Sequence, residues 1–424
     1  MDAYGRGTFT RRRVLAGGAA VVAAAGLPLP SGLGPDAADA AEPERRARRW
    51  GRIANDSRRG EPVMTGLYFC GPLNQFTTTS LFTRHPLNGD RLDWSDRSDI
   101  EYAMCQFRST GLNVLTFSYW GHEDRQTDRS GTHWMFSNAR WPGDPPAGGE
   151  YTAAEQVAKA RELFEVAADT GLLLTPLLEV HFEHFPFFAQ FPRVLDELVE
   201  RSVWLVRNFG DEPNFLRLYN KDGEKRLALT LIETITIFDI DPDEFAAGFD
   251  EAARLVEEQT GHKVGYCIDP TALPKDGPHL GPDHPAALRQ RPSVLAIKPF
   301  NITSQGPVPT ERDTDLTEDD RLAYCRNQMI MWSGSGIPFI APVNPGYDAS
   351  KLPEPKAVYG HSAQWRQRQQ ELAVEFATAG LSFDTYNGFT EGQSILPTEE
   401  DGDAVTRWAC DTVRAVRNRL DRRR

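Results

Sequence analysis

Residues 381–397, LSFDTYNGFTEGQSILP, carry the residue types needed for acid–base chemistry at the end of a predicted strand. The segment begins with apolar Leu381 and Phe383, becomes polar at Asp384, and carries Glu391 on a glycine-rich turn. A carboxyl group in an aromatic-lined pocket keeps its proton to a higher pH, because desolvation disfavours the charged form. Glu391 is therefore our candidate general acid. The alternative is a solvated loop glutamate such as Glu399.

Further carboxylates lie at the ends of other predicted strands. General acid catalysis is commonly paired with a second carboxyl group that acts as a base or a nucleophile, so Glu391 calls for a partner. Glu233 ends the apolar run LALTLIE and is our first candidate, and Asp269, which follows strand five, is the second. The alternatives are a buried ion pair for Glu233 and a turn or helix-capping role for Asp269. Glu179 ends strand three, and Asp384 could belong to a core network instead.

Candidate substrate-binding residues lie at strand ends and in the loops that follow them. Aromatic side chains can stack on sugar faces while polar neighbours bind the hydroxyl groups. The aromatic residues could instead pack within their loops, and Lys298 could pair with a buried acid. The candidates are Tyr119, Trp120, His122, Glu179, His181, Lys298, Tyr347 and Asn387, and Phe389 is a further aromatic residue of these loops.

A compact cluster, EVHFEHF, contains His181, Glu183 and His184. Histidine and carboxylate ligands suit several transition metals. Phenylalanines interleave these residues, however, and no further ligand motif accompanies them, so a wall of a sugar subsite is favoured over a metal site. We expect no metal and no cofactor.

Eight apolar segments alternate with amphipathic helical patterns along the chain. Alternating strands and helices imply a parallel sheet. The predicted strands cover residues 63–69, 112–117, 172–180, 226–233, 264–268, 293–299 and 337–341, and an eighth begins at 381. The predicted fold class is α/β, a single (β/α)8 TIM-type barrel. An open doubly wound sheet is the alternative, but it would call for a glycine-rich phosphate turn, and the chain contains neither GxGxxG nor a Walker motif.

The connections between these elements are asymmetric. Five strands follow a glycine that we interpret as the end of the preceding helix: Gly111, Gly171, Gly261, Gly336 and Gly380. The loops that leave the strands are long and rich in polar and aromatic residues, for example 119–151 and 269–292. This asymmetry predicts a functional face at the C-terminal ends of the strands.

The N-terminal residues are typical of a targeting segment. Arg11, Arg12 and Arg13 precede an apolar run rich in alanine and glycine, and Ala38-Asp39-Ala40 offers a small-x-small cleavage site. The pattern resembles a twin-arginine export signal, and the run is shorter than the ~20 apolar residues that a membrane span needs. We predict an export signal at 1–40, a flexible arm at 41–60 and the barrel at 61–424, with the mature protein secreted or associated with the cell envelope and without a membrane span.

Composition limits the classes of partner. The chain has 424 residues with a formal net charge of -13, which gives no electrostatic support for binding nucleic acid. The five cysteines are widely spaced without a CxxC, so neither a zinc site nor a disulfide scaffold is indicated. We expect a carbohydrate to bind at the functional face formed by the C-terminal ends of the strands.

Two motifs resemble those of the barrel glycosidases around glycoside hydrolase families 99 and 71, which include endo-α-mannosidases, endo-α-mannanases and α-1,3-glucanases. Residues 386–397, YNGFTEGQSILP, are similar to the family's strand-eight signature, and residues 213–217, PNFLR, with Asp222-Gly223 are similar to its entry to strand four. Tyr119-Trp120-Gly121 also fits. The resemblance implies that Glu391 is the general acid/base. The family's other catalytic glutamate in this motif corresponds to Gly388 here, so the family's carboxylate pair is not complete.

The sequence therefore predicts an exported glycoside hydrolase that cleaves a polysaccharide or cell-envelope glycan. One alternative is a non-catalytic carbohydrate-binding barrel that has lost one carboxylate at Gly388. The other is a barrel hydrolase assisted by a metal at His181 and Glu183.

Overall fold

The computed structural model describes residues 49–68, 82–88, 96–119, 153–179, 191–232, 241–270, 283–300, 302, 316–351 and 358–423. All of them lie in the larger of two compact units, Pro43–Arg424. The predicted export signal at 1–40 lies outside the described residues.

Eight parallel strands form the central sheet, and they confirm the predicted barrel. These strands are β1 (Val63–Tyr68), β2 (Val114–Tyr119), β3 (Leu173–Glu179), β5 (Lys225–Ile232), β6 (Val264–Ile268), β7 (Val294–Ile297), β8 (Ile340–Val343) and β11 (Gly380–Phe383). Their spatial order is β7-β6-β5-β3-β2-β1-β11-β8. The Ile297 N–H donates to the Pro338 carbonyl at 2.8 Å, beside a parallel bridge from Ile297 to Phe339. This contact joins the two ends of the sheet and closes the barrel.

Eight described helices surround the strands. They are α1 (Arg97–Ser109), α2 (Ala153–Asp169), α3 (Phe191–Phe209), α4 (Pro242–Thr260), α5 (His284–Arg289), α6 (Glu318–Ser333), α7 (Ala363–Phe376) and α8 (Ala404–Arg422). Among these described helices, none has the length and apolar character needed to cross a bilayer.

The strand-preceding glycines do not all act in the same way. Gly111, Gly171, Gly261 and Gly336 have φ values of +91°, +71°, +77° and +79°, a left-handed conformation that glycine adopts at low cost. Gly261 caps α4 directly, whereas α6 already ends at Ser333 with Gly334 as its cap, so Gly336 lies in the turn that follows. Gly380 differs from the prediction, because it is the first residue of β11 and pairs with Val63. A Cβ at Gly380 would overlap the Val63 carbonyl, so this glycine allows β1 and β11 to approach each other.

The predicted flexible arm differs from the structure in its second half. Residues 49–60 pack across the N-terminal end of the barrel, where Ile53 is fully buried and forms a bridge with Leu218. The Asn55 amide donates to the Pro213 and Phe215 carbonyls at 3.1 and 2.9 Å. Buried apolar side chains and satisfied backbone groups hold this segment to the barrel.

A short strand, β4 (Arg217–Tyr219), was not predicted; it pairs antiparallel with β5. It includes the end of the PNFLR motif. The Arg217 guanidinium donates to the Gly210, Glu212 and Phe215 carbonyls at 3.1, 3.3 and 3.1 Å. This motif therefore organises the N-terminal end of the barrel, opposite to the ends of the strands from which an active site is built.

Alternate residues of each strand face the lumen. The Thr65 and Thr116 hydroxyls meet across the lumen face of β1 and β2 at 2.8 Å, while Phe117 packs edge-on against Phe164 of α2. Above the threonines, Leu67 and Leu177 pack together with Phe300. The lumen is thus filled by side chains, and the residues above them form the floor of the mouth.

Candidate active site at the barrel mouth

Four buried polar side chains end neighbouring strands on the lumen side. Asp269 directly follows the end of β6, two residues after Cys267, and Lys298 directly follows the end of β7; their exposed fractions are 0% and 3%. Asn344 and Asp384 directly follow the ends of β8 and β11, and the Asn344 amide donates to the Asp384 carboxylate at 3.4 Å. Alternate residues of a strand face the same side of the sheet. Asp269 and Lys298, both predicted as site residues, therefore lie on the lumen side at the ends of two adjacent strands.

Specific contacts place these two residues. The Phe300 N–H donates to Asp269 Oδ1 at 3.1 Å, which holds the carboxylate beneath the following loop. Burial raises the pKa of the Cys267 thiol to about 12, and the nearby positive charge of Lys298 opposes this rise. Asp269 is thus a fixed, fully buried carboxylate in the floor of the mouth.

Tyr347 and Glu391, predicted separately, meet in the structure. Tyr347 lies in the two-residue strand β9 (Tyr347–Asp348), which pairs antiparallel with β10 (Val358–Tyr359). The Tyr347 hydroxyl donates to Glu391 Oε1 at 3.1 Å, and the Asp348 N–H donates to the Glu391 carbonyl at 2.7 Å. Glu391 is half-buried; the tyrosine hydroxyl binds its carboxyl group and the Asp348 N–H binds its backbone carbonyl.

A buried aromatic stack supports Tyr347. Its ring stacks on Tyr359 with a centroid separation of 5.5 Å and an interplanar angle of 15°. On Tyr359 lies the guanidinium of Arg321, whose Cζ is 4.2 Å from the ring centroid. Trp365 packs against the same tyrosine at 5.4 Å and donates its indole N–H to the Asn344 carbonyl at 3.0 Å. We call Tyr347, Tyr359 and Arg321 the Tyr347 stack.

Residues 82–88, which follow β1 after a gap in the described residues, bind to both loops of the site. The Thr83 hydroxyl donates to the Asp348 carbonyl at 2.7 Å, and the backbone N–H groups of Thr83 and Arg84 donate to the Phe389 carbonyl at 3.1 and 3.2 Å. The Arg84 guanidinium pairs with Asp401 at 3.0 Å and lies 3.7 Å from the Asp348 carboxylate. Segments from three parts of the chain are therefore joined around Glu391.

His361 fills the space between the two loops. Cβ atoms built on Gly346 and Gly392, which have φ values of +147° and +65°, would lie 2.6 and 3.2 Å from its ring. Burial, and then the positive charge of Arg84, lower the pKa of His361 to about 4. The imidazole is therefore neutral at physiological pH, and it packs as an uncharged ring against Gly346 and Gly392, the neighbours of Tyr347 and Glu391 in sequence.

Several predicted residues have other surroundings. Tyr119 is fully buried on the outer face of β2 and stacks on Trp204 of α3 at 5.4 Å and 14°, so it does not line the mouth as predicted. Burial raises the pKa of its hydroxyl. Phe389 is buried against Phe82 at 5.6 Å, which is loop packing. Asn387 lies on the loop that bears Glu391 and is 4% exposed.

Some predicted residues lie outside the described residues. These are Glu233, Trp120, His122, His181 and the other members of the EVHFEHF cluster after Glu179. Glu179 ends β3 at the same rim of the barrel. Within the described ranges, no group of three histidine, cysteine, aspartate or glutamate side chains is placed to hold a metal ion.

The absence of a carboxylate at position 388 has a structural reason. A Cβ at Gly388 would overlap Thr385 Oγ1 and lie 3.0 Å from Thr385 Cβ. That hydroxyl donates to the Gln393 carbonyl at 3.1 Å, and the Gln393 N–H donates back to the Gly388 carbonyl at 3.0 Å. Thr385 thus closes the loop that carries Glu391 and occupies the space that a side chain at 388 would need.

Our sequence reasoning missed Arg321, Tyr359, His361, Arg84 and Thr385. For Arg321 a signal exists, since Arg321, Cys325, Met329 and Trp332 are buried at helical spacing, which puts an arginine in a core stripe of α6. Arg84, Tyr359 and His361 act through contacts with segments elsewhere in the chain, and the local sequence carries no such information. Thr385 acts within its own loop, where a threonine before Asn-Gly gives no specific signal.

Comparison with known proteins supports the barrel assignment. No sequence-family model matches the chain, and no curated protein sequence matches it. The fold is similar to that of the GH99 endo-α-mannosidase from Bacteroides thetaiotaomicron in complex with bis-tris propane, with a TM-score of 0.56 and 15% identity over 85% of this chain and 98% of that one. A second structure of a GH99 endo-α-mannosidase from the same organism gives a TM-score of 0.51 and 15% identity, covering 81% and 85% of the two chains. At this identity the likeness shows a shared fold, and at that level the resemblance predicted from the motifs is confirmed.

The loop closure predicts a specific coupling between Gly388 and Thr385. Gly388→Ala should destabilise the protein by about 1–3 kcal/mol, because overpacking forces neighbouring atoms to move. The cost should be smaller in the Thr385→Ala background, where the obstructing hydroxyl is absent. Urea unfolding of the two single variants and the double variant measures this coupling. Strictly additive effects would contradict the proposed steric conflict.

His361 predicts a pH dependence of stability. Its pKa falls from an ordinary 6.5 to about 4 in the folded state, so its contribution is complete above pH 6.5 and is lost as the pH falls toward 4. A shift of this size corresponds to at most about 3 kcal/mol. The loss of unfolding free energy between pH 7.5 and 4.5 should be smaller in His361→Gln than in the wild type. An equal loss in both proteins would assign the pH dependence to other groups.

Proposed function

We propose that this protein is a glycoside hydrolase that cleaves a polysaccharide or cell-envelope glycan, with Glu391 as its general acid. The observation that carries the proposal is the contact between Tyr347 and Glu391, which holds a half-buried carboxyl group at the mouth of a barrel similar in fold to a GH99 endo-α-mannosidase. The C-terminal mouth is where enzymes of this fold build their active sites.

In the proposed reaction, protonated Glu391 donates its proton to the glycosidic oxygen while the bond from that oxygen to the anomeric carbon breaks. A second carboxylate stabilises the positive charge that develops on the sugar ring. In one case it attacks the anomeric carbon, and water then breaks the resulting sugar–carboxylate bond while ionised Glu391 takes a proton from that water. In the other case it removes a proton from the attacking water. One water molecule is consumed, and the leaving sugar departs with the proton from Glu391.

Two residues are candidates for the second carboxylate. Glu233 is predicted from its position after strand four and lies outside the described residues. Asp269 faces the lumen, is fully buried and accepts the Phe300 N–H. A carboxylate that attacks the sugar must be reached by substrate, so Asp269 could do so only if the groups that bury it moved. Comparing Glu233→Gln with Asp269→Asn distinguishes these assignments.

One specific observation favours a second function, a carbohydrate-binding barrel without catalysis. Thr385 occupies the space beside Gly388, so this loop could carry the second glutamate of the family signature only if Thr385 moved. A protein of this kind would bind glycans through its mouth and would release no new reducing ends.

Glu391→Gln should reduce hydrolysis by at least about 100-fold, because the amide cannot donate a proton to the leaving oxygen. The assay is reducing-end release from a polysaccharide panel that includes α-mannans and α-glucans, with product masses reporting the linkage and the endo or exo mode. Glu399→Gln, an exposed change eight residues along the same segment, is the matched control and should retain activity. Wild-type activity in Glu391→Gln would rule out the acid role, and tight glycan binding without turnover by the wild type would favour the binding function.

We also propose that the protein is exported through the twin-arginine route, on the basis of residues 1–40. Arg11→Lys with Arg12→Lys keeps the charge and removes the arginine pair, so the full-length precursor should remain in the cytoplasm. Cell fractionation and the precursor mass measure this outcome. Unchanged export of the double variant would contradict the assignment.

A further inference from the structure

We propose that Tyr347 is a positioning residue, and that its hydroxyl, held by the Tyr347 stack, determines which oxygen of Glu391 carries the transferable proton. The inference rests on the proposed function in so far as Glu391 is the acid. It assigns Tyr347 a role different from the sugar contact predicted from the sequence.

The stack leaves the Tyr347 ring little freedom. Tyr347 is 1% exposed, Tyr359 is 5% exposed, and Arg321 is fully buried in α6. The Arg321 guanidinium carbon lies 4.2 Å from the centroid of the Tyr359 ring, and the Tyr347 ring stacks on Tyr359, so both tyrosine side chains are restricted. Because the ring of Tyr347 is enclosed, its hydroxyl is the part placed to act on a neighbour.

The backbone around the pair is also fixed. The Asp348 N–H donates to the Glu391 carbonyl, and the Tyr347 hydroxyl donates to the Glu391 carboxylate. The two loops are therefore joined by one backbone contact and one side-chain contact. The Thr83 hydroxyl holds the Asp348 carbonyl from the other side at 2.7 Å. The separation of Tyr347 Oη and Glu391 Oε1 is therefore set by several contacts and not by one flexible side chain.

The hydrogen bond from the Tyr347 hydroxyl affects both the position of the proton on Glu391 and the pKa of that carboxyl group. A tyrosine hydroxyl that donates to Oε1 makes this oxygen the acceptor, and a protonated carboxyl group then carries its proton on Oε2. A proton on a defined oxygen points in a defined direction, as proton transfer to a glycosidic oxygen requires. The same hydrogen bond also stabilises the ionised form of Glu391, so its loss should raise the pKa of that carboxyl group.

Other charged groups face this segment and must be considered. Arg84, Asp348 and Asp401 form the ion-pair network beside it, and His361 lies against Gly392. His361 has a pKa of about 4 and is uncharged above that pH, so it does not produce a titration step near neutral pH. Tyr347→Phe leaves all four of these groups unchanged, and a shift in that variant therefore reports the lost hydroxyl.

Tyr347→Phe removes the hydroxyl and keeps the ring of the stack. We expect kcat/KM to fall about 10- to 100-fold and the alkaline limb of its pH profile to move about one unit higher, because Glu391 keeps its proton longer. Tyr359→Phe is the matched control, since it loses a hydroxyl one ring further along the same stack; its pH profile should match that of the wild type. Melting temperatures of both variants close to that of the wild type would show that the fold is retained.

A second measurement does not depend on turnover. The carboxyl carbon of Glu391 in 13C-glutamate-labelled protein is assigned by the signal missing from Glu391→Gln, and its titration gives the pKa directly. A higher pKa in Tyr347→Phe, with no change in Tyr359→Phe, supports the inference even if no glycan is cleaved, in which case only the proposed function fails. An unchanged Glu391 pKa and an unchanged pH profile in an active Tyr347→Phe variant would overturn the inference while the hydrolase assignment stands.

Discussion

The closure of a parallel sheet is the constraint on which the rest of the molecule depends. The Ile297 hydrogen bond to Pro338 joins the last pair of neighbours, so the sheet has no free edge in its described part. Because the strands of the barrel run in the same direction, their C-terminal ends share one rim. Polar residues that are far apart in the sequence, such as Asp269 and Asp384, are thereby brought to the floor of one mouth.

The same constraint explains how much of the fold could be predicted from the sequence. Apolar segments separated by helical patterns predict the eight strands, and the predicted 264–268 coincides with β6. It is harder to predict which side chains of each strand point into the lumen and which point toward the helices. All six residues of β2 are buried, so no alternation of polar and apolar residues reveals which face meets the lumen. Tyr119 is predicted to lie in the loop after a strand that ends at residue 117, but β2 continues to Tyr119 and directs this side chain outward against Trp204.

The candidate site could be predicted only in part, because its contacts join distant segments. Glu391 and Tyr347 were both identified as polar or aromatic residues after strands, but nothing local indicates that they form a pair. The residues that hold this pair in place lie still further away in the sequence, since Arg321 comes from α6 and Thr83 from the segment after β1. The resemblance of this segment to a strand-eight motif singles out Glu391, whereas the surroundings that position it depend on the complete fold.

Thr385 links the rigidity of the Glu391 loop to its missing carboxylate. Its hydroxyl binds the Gln393 carbonyl, and backbone pairs from Gln393 to Gly388 and from Ile395 to Tyr386 close the same loop. The space used for this closure is the space that a side chain at 388 would need, so with Thr385 in this position the loop cannot also bear a second acid there. A carboxylate partner for the proposed acid must then lie outside position 388, and the described strand ends offer Asp384 after β11 and Asp269 after β6.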